Sequence, residues 1–269
     1  MKILILGDVV GPSGREALNK NLTRIIKEKN INFTIINGEN ADDSGLGITQ
    51  ENTNSFFNLG VDVITTGNHV WDQKETMTFI ENEPRLLRPY NLVEGSPGQG
   101  MGIFQTKDKK FKVAVVNLMG NIFMKKCDDI FEAALKIKNS IKLKKDADFI
   151  IIDVHGEITS EKMALGHFFD GKVTGVIGTH THVPTSDAHI LKGGTAYQTD
   201  LGMCGDYDSV IGMNKDNSLM KFLKNQNAKK HYPALGEATI SGTIIKANPS
   251  SGHSIEVEPL IIGGVLKNF

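Results

Sequence analysis

The sequence predicts an α/β protein: a largely parallel βα half, then a β-richer half that returns and packs against it. Three observations predict this. Short apolar β-type runs alternate with amphipathic helical stretches through the first two thirds of the chain. Residues 238–246 and 254–262 instead alternate like antiparallel strands. Third, the strand-like runs of the first part each end in side chains with oxygen or nitrogen donors. The run at 2–7 delivers Asp8, and that at 33–37 delivers Glu39 and Asn40. The run at 61–67 delivers Asn68 and His69, that at 149–154 delivers His155, and that at 173–177 delivers His180 and His182. In open α/β sheets, ligands bind just beyond the carboxyl ends of the strands.

In chain order, residues 2–7 form an apolar strand and Gly7 and Gly11 bracket a turn at Asp8. Residues 14–29 carry Ala17, Leu18, Leu22, Ile25 and Ile26 at helical spacing. A second strand at 32–37 makes a βαβ unit, which implies a right-handed crossover. Residues 41–47 are a polar, Gly-rich loop; 44–47 read as plain surface in preference to a substrate lid. Residues 49–59 form a short helix with Thr49 as N-cap. A strand at 61–66 and a helix at 72–80, closed by Pro84, follow. Residues 85–102 are largely loop. Strands at 102–106 and 112–118 pair around the 107–110 turn, and 128–145 form an amphipathic helix. Its lysines at 136, 138, 142, 144 and 145 lie off the apolar face and read as solvated, with a phosphate-rich partner as the alternative. A buried strand at 147–154 precedes a helix at 159–169 capped by Thr159 or Ser160. Beyond the strand at 173–177, a hairpin is expected at 189–191 and 195–199 and a helix at 218–223. No repeat or linker interrupts the chain, so residues 1–269 read as a single domain.

Composition narrows the function classes. With 23% charged and 39% hydrophobic residues the chain is an ordinary globule, and a net charge of −1 argues against a surface that coats nucleic acid. No apolar run is long enough to span a membrane, and no signal-peptide pattern opens the chain. Cys127 and Cys204 are too few and too far apart for a disulfide framework, so a cytoplasmic setting is expected and both read as buried small hydrophobes.

The candidate ligands are Asp8, Glu39, Asn40, Asn68, His155, His180 and His182. That is too many for one four-coordinate zinc and suits two ions sharing a bridging carboxylate and a bridging water. Imidazole and oxygen donors without thiolate fit iron, manganese, zinc or cobalt. Two such ions about 3.5–4 Å apart activate a hydroxide and clamp phosphoryl oxygens. The leaving oxygen needs a proton donor. His69, beside Asn68, faces away from it and is the candidate; imidazole ordinarily titrates near pH about 6.5. Against these stand blander roles: a helix cap for Asp8, turn formation for Glu39 and Asn40, and backbone satisfaction for His69. A structural role is the alternative for His155. His167, His189, His231 and His253 lack strand-end partners and read as structural or surface.

At these residues the chain resembles the calcineurin-like metallophosphoesterases. Gly67-Asn68-His69, His155 and His180-Thr181-His182 match that pattern directly. Asp8-Val9-Val10 lacks its first His, and Asn37-Gly38-Glu39-Asn40 replaces its Gly-Asp block. Both departures are features of the YmdB-like bacterial branch. Gly7-Asp8-Val9-Val10-Gly11 and Thr66-Gly67-Asn68-His69-Val70-Trp71 resemble it. So do Gly178-Thr179-His180-Thr181-His182-Val183-Pro184-Thr185 and Thr199-Asp200-Leu201-Gly202-Met203-Cys204-Gly205. The resemblance spans essentially the whole chain. It implies a four-layer α/β sandwich with two facing mixed sheets flanked by helices. It implies two metal ions per chain, iron first and manganese or zinc as alternatives, and hydrolysis of cyclic nucleotide phosphodiesters, 2′,3′-cyclic ones included. One ion would take Asp8, Glu39, Asn40 and His182, the other Glu39, Asn68, His155 and His180, with His69 as proton donor.

Competing readings are a phosphomonoesterase or protein phosphatase on the same ions, and a regulatory metal- or nucleotide-binding protein without turnover. An amidohydrolase ranks low, since its His-x-His lies near the first strand. The expected partner is a small cyclic nucleotide; RNA or RNA-processing partners are compatible but unselected. A homo-oligomer through the strands at 238–262 is a further expectation.

Overall fold

The computed structural model describes residues 1–266. Two mixed sheets face each other. The first holds β1 (Lys2–Val10), β2 (Phe33–Asn40), β3 (Val63–Thr65), β4 (Leu86–Leu87), β11 (Met203–Asp206), β12 (Ala238–Ala247) and β13 (Ser254–Ile262), in the order β13-β12-β11-β1-β2-β3-β4. The second holds β5 (Met101–Gln105), β6 (Lys112–Met119), β7 (Phe149–His155), β8 (Gly175–Thr179), β9 (His189–Ile190) and β10 (Ala196–Gln198), in the order β5-β6-β7-β8-β10-β9. Strands β1 to β4 run parallel, as do β6, β7, β8 and β10; β5, β9, β12 and β13 pair antiparallel at the margins. Helices α1 (Gly11–Glu28) and α2 (Gln50–Asn58) flank the first sheet, and α4 (Ile130–Ser140) and α5 (Thr159–Phe169) the second. The short α3 (Thr76–Phe79) and α6 (Lys215–Phe222) complete the helices. This is the expected four-layer sandwich.

The two-residue period of a strand sorts the side chains into three cores. Leu4 and Leu6 of β1 pack with Leu18, Leu22 and Ile25 of α1. Ile150, Ile152 and Val154 of β7 pack under α4 and α5. The alternate residues (Ile3, Ile5, Phe33, Ile35, Val63, Val113, Val115, Phe149, Ile151 and Ile177) meet between the sheets. Continuing the same alternation toward the strand ends gives Asn37 and Glu39 after Phe33 and Ile35. It gives Asp153 and His155 after Phe149 and Ile151, Thr65 after Val63, and Thr179 after Ile177. The inter-sheet core is therefore apolar for two layers and polar above them.

Several expected boundaries move. Asp8 lies inside β1, not in a turn, because β11 and β2 continue to pair with residues 8–10. Asp8 does not cap α1 either; the N-cap position is Val10, without a side-chain bond. The helix expected at 72–80 is only α3 followed by a 3-10 turn at Ile80–Asn82. The one expected at 128–145 stops at Ser140, since Ile141 turns extended and buries itself while Lys144 adopts φ 65°. Neither Thr159 nor Ser160 caps α5, whose N-cap is Ile158. Thr49 does cap α2, in a capping box with Asn52. Cys204 is fully buried, but Cys127 is only half-buried, beside Asn91 and Asn121. Among the described residues no helix is long and apolar enough to cross a membrane.

Candidate metal centre

The residues anticipated as ligands come together above the polar layer, where the carboxyl ends of β1, β2, β7 and β8 meet. His155 Nε2 lies 3.1 Å from Glu39 Oε2, 3.2 Å from Asn68 Oδ1 and 3.1 Å from His180 Nδ1. The Glu39, His155 and His180 donor atoms all fall within 4.8 Å of one another. Asp8 Oδ1 is 3.7 Å from His155 Nδ1 and 3.8 Å from His182 Nε2. Asn40 lines the same cleft, of about 240 Å³, together with Leu46, His69, Glu157, Thr181, Ile211 and Met213.

The outer hydrogen bonds leave the inward-facing atoms as bare acceptors. Thr179 Oγ1 donates to Asp153 Oδ1 at 2.8 Å and so accepts from His155 Nδ1–H at 3.0 Å, leaving Nε2 its lone pair. Glu157 Oε2 accepts from His180 Nε2–H at 3.1 Å, leaving Nδ1 free. The Ile211 carbonyl accepts from His182 Nδ1–H at 2.8 Å, leaving Nε2 free. Asn40 Nδ2 donates to the Gly45 carbonyl at 2.9 Å, turning its oxygen inward. Carboxylate, carbonyl and hydroxyl partners of this kind orient metal-ligating imidazoles and fix their tautomers. Asp8 Oδ1, Glu39 Oε2 and Asn40 Oδ1 are buried without any hydrogen-bond partner. Buried acceptors left facing one another are costly unless something positive lies between them. The donor set fits divalent or trivalent cations.

Electrostatics agree. Burial raises the Asp8 carboxyl to about 7, partly offset by His155, and the Glu39 carboxyl to about 7, partly offset by His69 and His182. Burial lowers His155, and lowers His180 with the help of the neighbouring His155 and His182 rings. His182 is lowered by burial too. Neutral imidazoles beside carboxyls reluctant to ionise are compatible with a cation-binding site.

Backbone features serve the same crowding. His180 (φ 101°) and His182 (φ 64°) both sit where L-residues rarely go, and such strain clusters at functional sites. At Gly67 two of the candidate ligands forbid a side chain. A Cβ there would lie 1.8 Å from Glu39 Oε2 and 2.2 Å from the His155 ring.

His69 is set apart from the seven. Its Nδ1 is bonded to Asp72 Oδ2 at 2.7 Å, and Asp72 Oδ1 meets Lys125 Nζ at 3.3 Å. His167, His189, His231 and His253 lie outside this constellation.

The chain matches the model of the YmdB-like proteins over residues 4–260. The chain belongs to the YmdB-like family. A relative from Bacillus subtilis (strain 168), named 2′,3′-cyclic-nucleotide 2′-phosphodiesterase, is 41% identical over 263 residues, 97% of each chain. Among solved structures, a hypothetical protein from Thermus thermophilus superposes with a TM-score of 0.89 at 36% identity, covering 98% of this chain and 100% of that one. A Mycoplasma pneumoniae protein described as a novel phosphatase gives 0.89 at 33% identity, covering 98% and 93%. The calcineurin-like, YmdB-like resemblance read from the motifs is thus the family of the chain.

A second set of residues was not singled out from the motifs. Asp153 accepts from Thr65, Thr179 and Asn37 and underpins His155. Asn37 Oδ1 accepts from the Glu39 backbone at 3.0 Å. Lys162 and Asp200, both fully buried, pair at 2.7 Å. Lys162 Nζ also donates to the Thr179 carbonyl at 2.8 Å, and Asp200 accepts from the Thr181 and Gly202 backbones at 3.0 and 2.9 Å. This pair clamps the loop that carries His180 and His182. The sequence signal was available for Asn37 and Asp153, which continue the inward two-residue alternation of their strands. Lys162, on a helix in an otherwise ordinary polar position, carried none.

Proposed function

We propose that this YmdB-like protein is a metal-dependent phosphodiesterase that hydrolyses cyclic nucleotide phosphodiesters, 2′,3′-cyclic ones in particular. The observation that carries the reading is the cluster of Glu39 Oε2, Asn68 Oδ1, His155 Nε2 and His180 Nδ1, four potential ligand atoms gathered so that the other three lie 3.1 to 3.2 Å from His155 Nε2. The Bacillus subtilis relative's name supports the substrate class. Asp8, Glu39, Asn40 and His182 would hold one ion, and Glu39, Asn68, His155 and His180 a second, with iron foremost and manganese or zinc as alternatives. Such ions, when bound, supply Lewis acidity toward phosphoryl oxygens and acidify a water.

The rest of the chemistry belongs to the chain. Water adds to phosphorus as the P–O2′ bond breaks, giving a 3′-phosphomonoester and a 2′-hydroxyl. His69 lines the cleft and is positioned to protonate the departing oxygen through Nε2. Asp72 receives its Nδ1–H and stabilises the imidazolium before the proton is delivered. Gly67 lets Glu39 and His155 approach. Two free cysteines, one of them buried, suit a reducing cytoplasm.

The test pairs metal analysis of the purified protein with hydrolysis of 2′,3′-cyclic AMP, the unaltered chain against Glu39→Gln. Two metals per chain with turnover, and loss of both in the variant, is the expected result. Full activity in Glu39→Gln would remove the central claim. Turnover of phosphomonoesters alone would favour the phosphatase reading suggested by the Mycoplasma pneumoniae structure. Metal content without turnover of any phosphoester would favour a regulatory binding protein.

A further inference from the structure

The mouth of the cleft carries a residue that neither packing nor backbone preference explains. Val210 and Met213 exchange backbone hydrogen bonds at 2.9 and 3.0 Å, closing a two-residue turn over Ile211 and Gly212. Both central residues have positive φ, 49° at Ile211 and 90° at Gly212. That is the signature of a type I′ turn, whose first position ordinarily takes Asn, Asp or Gly. Gly212 follows the rule, and it must, since a Cβ there would lie 2.8 Å from Val10 Cγ1. Ile211 breaks it. A β-branched side chain in the left-handed region is a genuine outlier. Nor does burial compensate, for Ile211 is 55% exposed.

The turn itself has a clear duty, because the Ile211 carbonyl holds His182 Nδ1 at 2.8 Å. Any residue could supply that carbonyl. The side chain is therefore free to be chosen for something else, and it lines the cleft with Leu46 and Met213. These three are the apolar part of the lining, whose other seven residues, Glu39, Asn40, His180 and His182 among them, are polar. A cyclic nucleotide has the complementary pattern, an anionic diester at one end and a flat, largely apolar base at the other.

We propose that Ile211 is a specificity-determining residue: with Leu46 and Met213 it forms the surface on which the nucleobase lies while the cyclic phosphodiester meets the candidate ligands. This rests on the phosphodiesterase reading above and names the part of the substrate that the apolar residues recognise. Strain and exposure at position 211 are tolerated because the bound base covers the side chain.

The discriminating variant is Ile211→Asn, which suits the turn, keeps the carbonyl and removes the apolar face. The melting temperature should rise by about 2–4 °C as the strain is relieved, and metal content should not change. With manganese supplied, KM for 2′,3′-cyclic AMP should rise about tenfold, as lost contacts in an apolar subsite do, while kcat stays within about twofold. Hydrolysis of methyl 4-nitrophenyl phosphate, a diester without a nucleobase, should fall far less than that of the nucleotide, and Ile211→Val should restore most of the nucleotide affinity. An unchanged KM for 2′,3′-cyclic AMP, an equal loss on both diesters, or a fall in melting temperature would each overturn the assignment. If the unaltered protein turned over neither diester, the phosphodiesterase reading would fail by itself. Calorimetric binding of 3′-AMP would then still decide about Ile211: weaker in Ile211→Asn supports the base contact, and equal binding refutes it.

Discussion

Lys162→Met tests whether the buried ion pair behind the His180 loop holds the metal centre together. Lys162 is 1% exposed and Asp200 0%, and their charges meet at 2.7 Å. At an effective dielectric of about 20 that separation gives roughly 6 kcal/mol of gross attraction. Desolvation of both groups offsets much of it, so the pair's net worth is small, but removing one partner is different. Methionine preserves the volume and leaves the Asp200 carboxylate buried on only the Thr181 and Gly202 backbone N–H groups. Breaking a buried pair in this way costs about 3–5 kcal/mol. For a chain of this size the melting temperature should fall on the order of 10 °C. The Thr179 carbonyl loses its donor too, so the strained His180–His182 loop relaxes and metal content falls. The double variant Lys162→Met/Asp200→Asn removes the uncompensated charge and should recover more than half of the lost stability, yet not the metal. Urea unfolding and elemental analysis of the three proteins measure both effects. A loss below about 1 kcal/mol in the single variant, or a double variant no more stable than the single, would refute the reasoning.

Three further outcomes follow from the geometry. Gly67→Ala places a methyl group 1.8 Å from Glu39 Oε2, so metal content and hydrolysis should both collapse while circular dichroism stays native. His69→Ala should leave metal content intact and lower kcat by about 100- to 10,000-fold, and Asp72→Asn by less, as expected for a proton donor and its orienting partner; an unchanged kcat in His69→Ala would dismiss the donor role. Manganese uptake should release protons at pH 6 and almost none at pH 8.5, read by calorimetry in buffers of different ionisation enthalpy. Asp8 and Glu39, raised to about 7, hold protons that a cation must displace below that pH. The sign for the metal-free fold is opposite to that of an ordinary paired carboxylate. Ionising these two groups costs nothing below their unfolded pKa, costs progressively more up to about pH 7 and is fully penalised above it. His155, His180 and His182, lowered by burial, act the other way, withdrawing stability as pH falls below the ordinary imidazole value.

The sheets were legible because two-residue alternation and continuous apolar runs are local properties of the chain. The paired strands at 238–246 and 254–262 became β12 and β13 with little change. Helix ends were less legible because tertiary demands set them. Ile141 leaves a helix-compatible sequence to bury itself beside Leu143, and Asp8 stays in β1 because Met203 pairs with it across 195 residues of chain. The seven candidate ligands were readable as polar residues at strand ends, which is where the two sheets gather them. Their supports were readable only as positions, Asn37, Asp153 and Thr179 continuing the inward alternation, and not as roles. Thr179 and Asp153 act through one hydroxyl, Gly45 and Ile211 act through backbone carbonyls, and a carbonyl has no letter in the sequence.

The interior finally sets a charge problem that the fold alone does not solve. Asp8, Glu39, Asp153 and Asp200 are all buried around the centre, against a single buried ammonium among the described residues, Lys162. Asp200 is satisfied by that ammonium and two backbone donors. Asp153 is satisfied by hydroxyls and an amide, and burial still holds its carboxyl up at about 6. Asp8 and Glu39 each keep an oxygen with no partner at all. A chain selected only for stability would replace such carboxylates with apolar residues of like volume, since buried charge without a counter-charge is among the costliest arrangements available. Protons on Asp8 and Glu39 are the only remedy the chain possesses, and they fail above neutrality. Cations remove the penalty at its source. On the proposed reading, metal binding and folding form one linked equilibrium, and chelation at pH 8 should lower the melting temperature more than chelation at pH 6, where protons stand in for the missing charge.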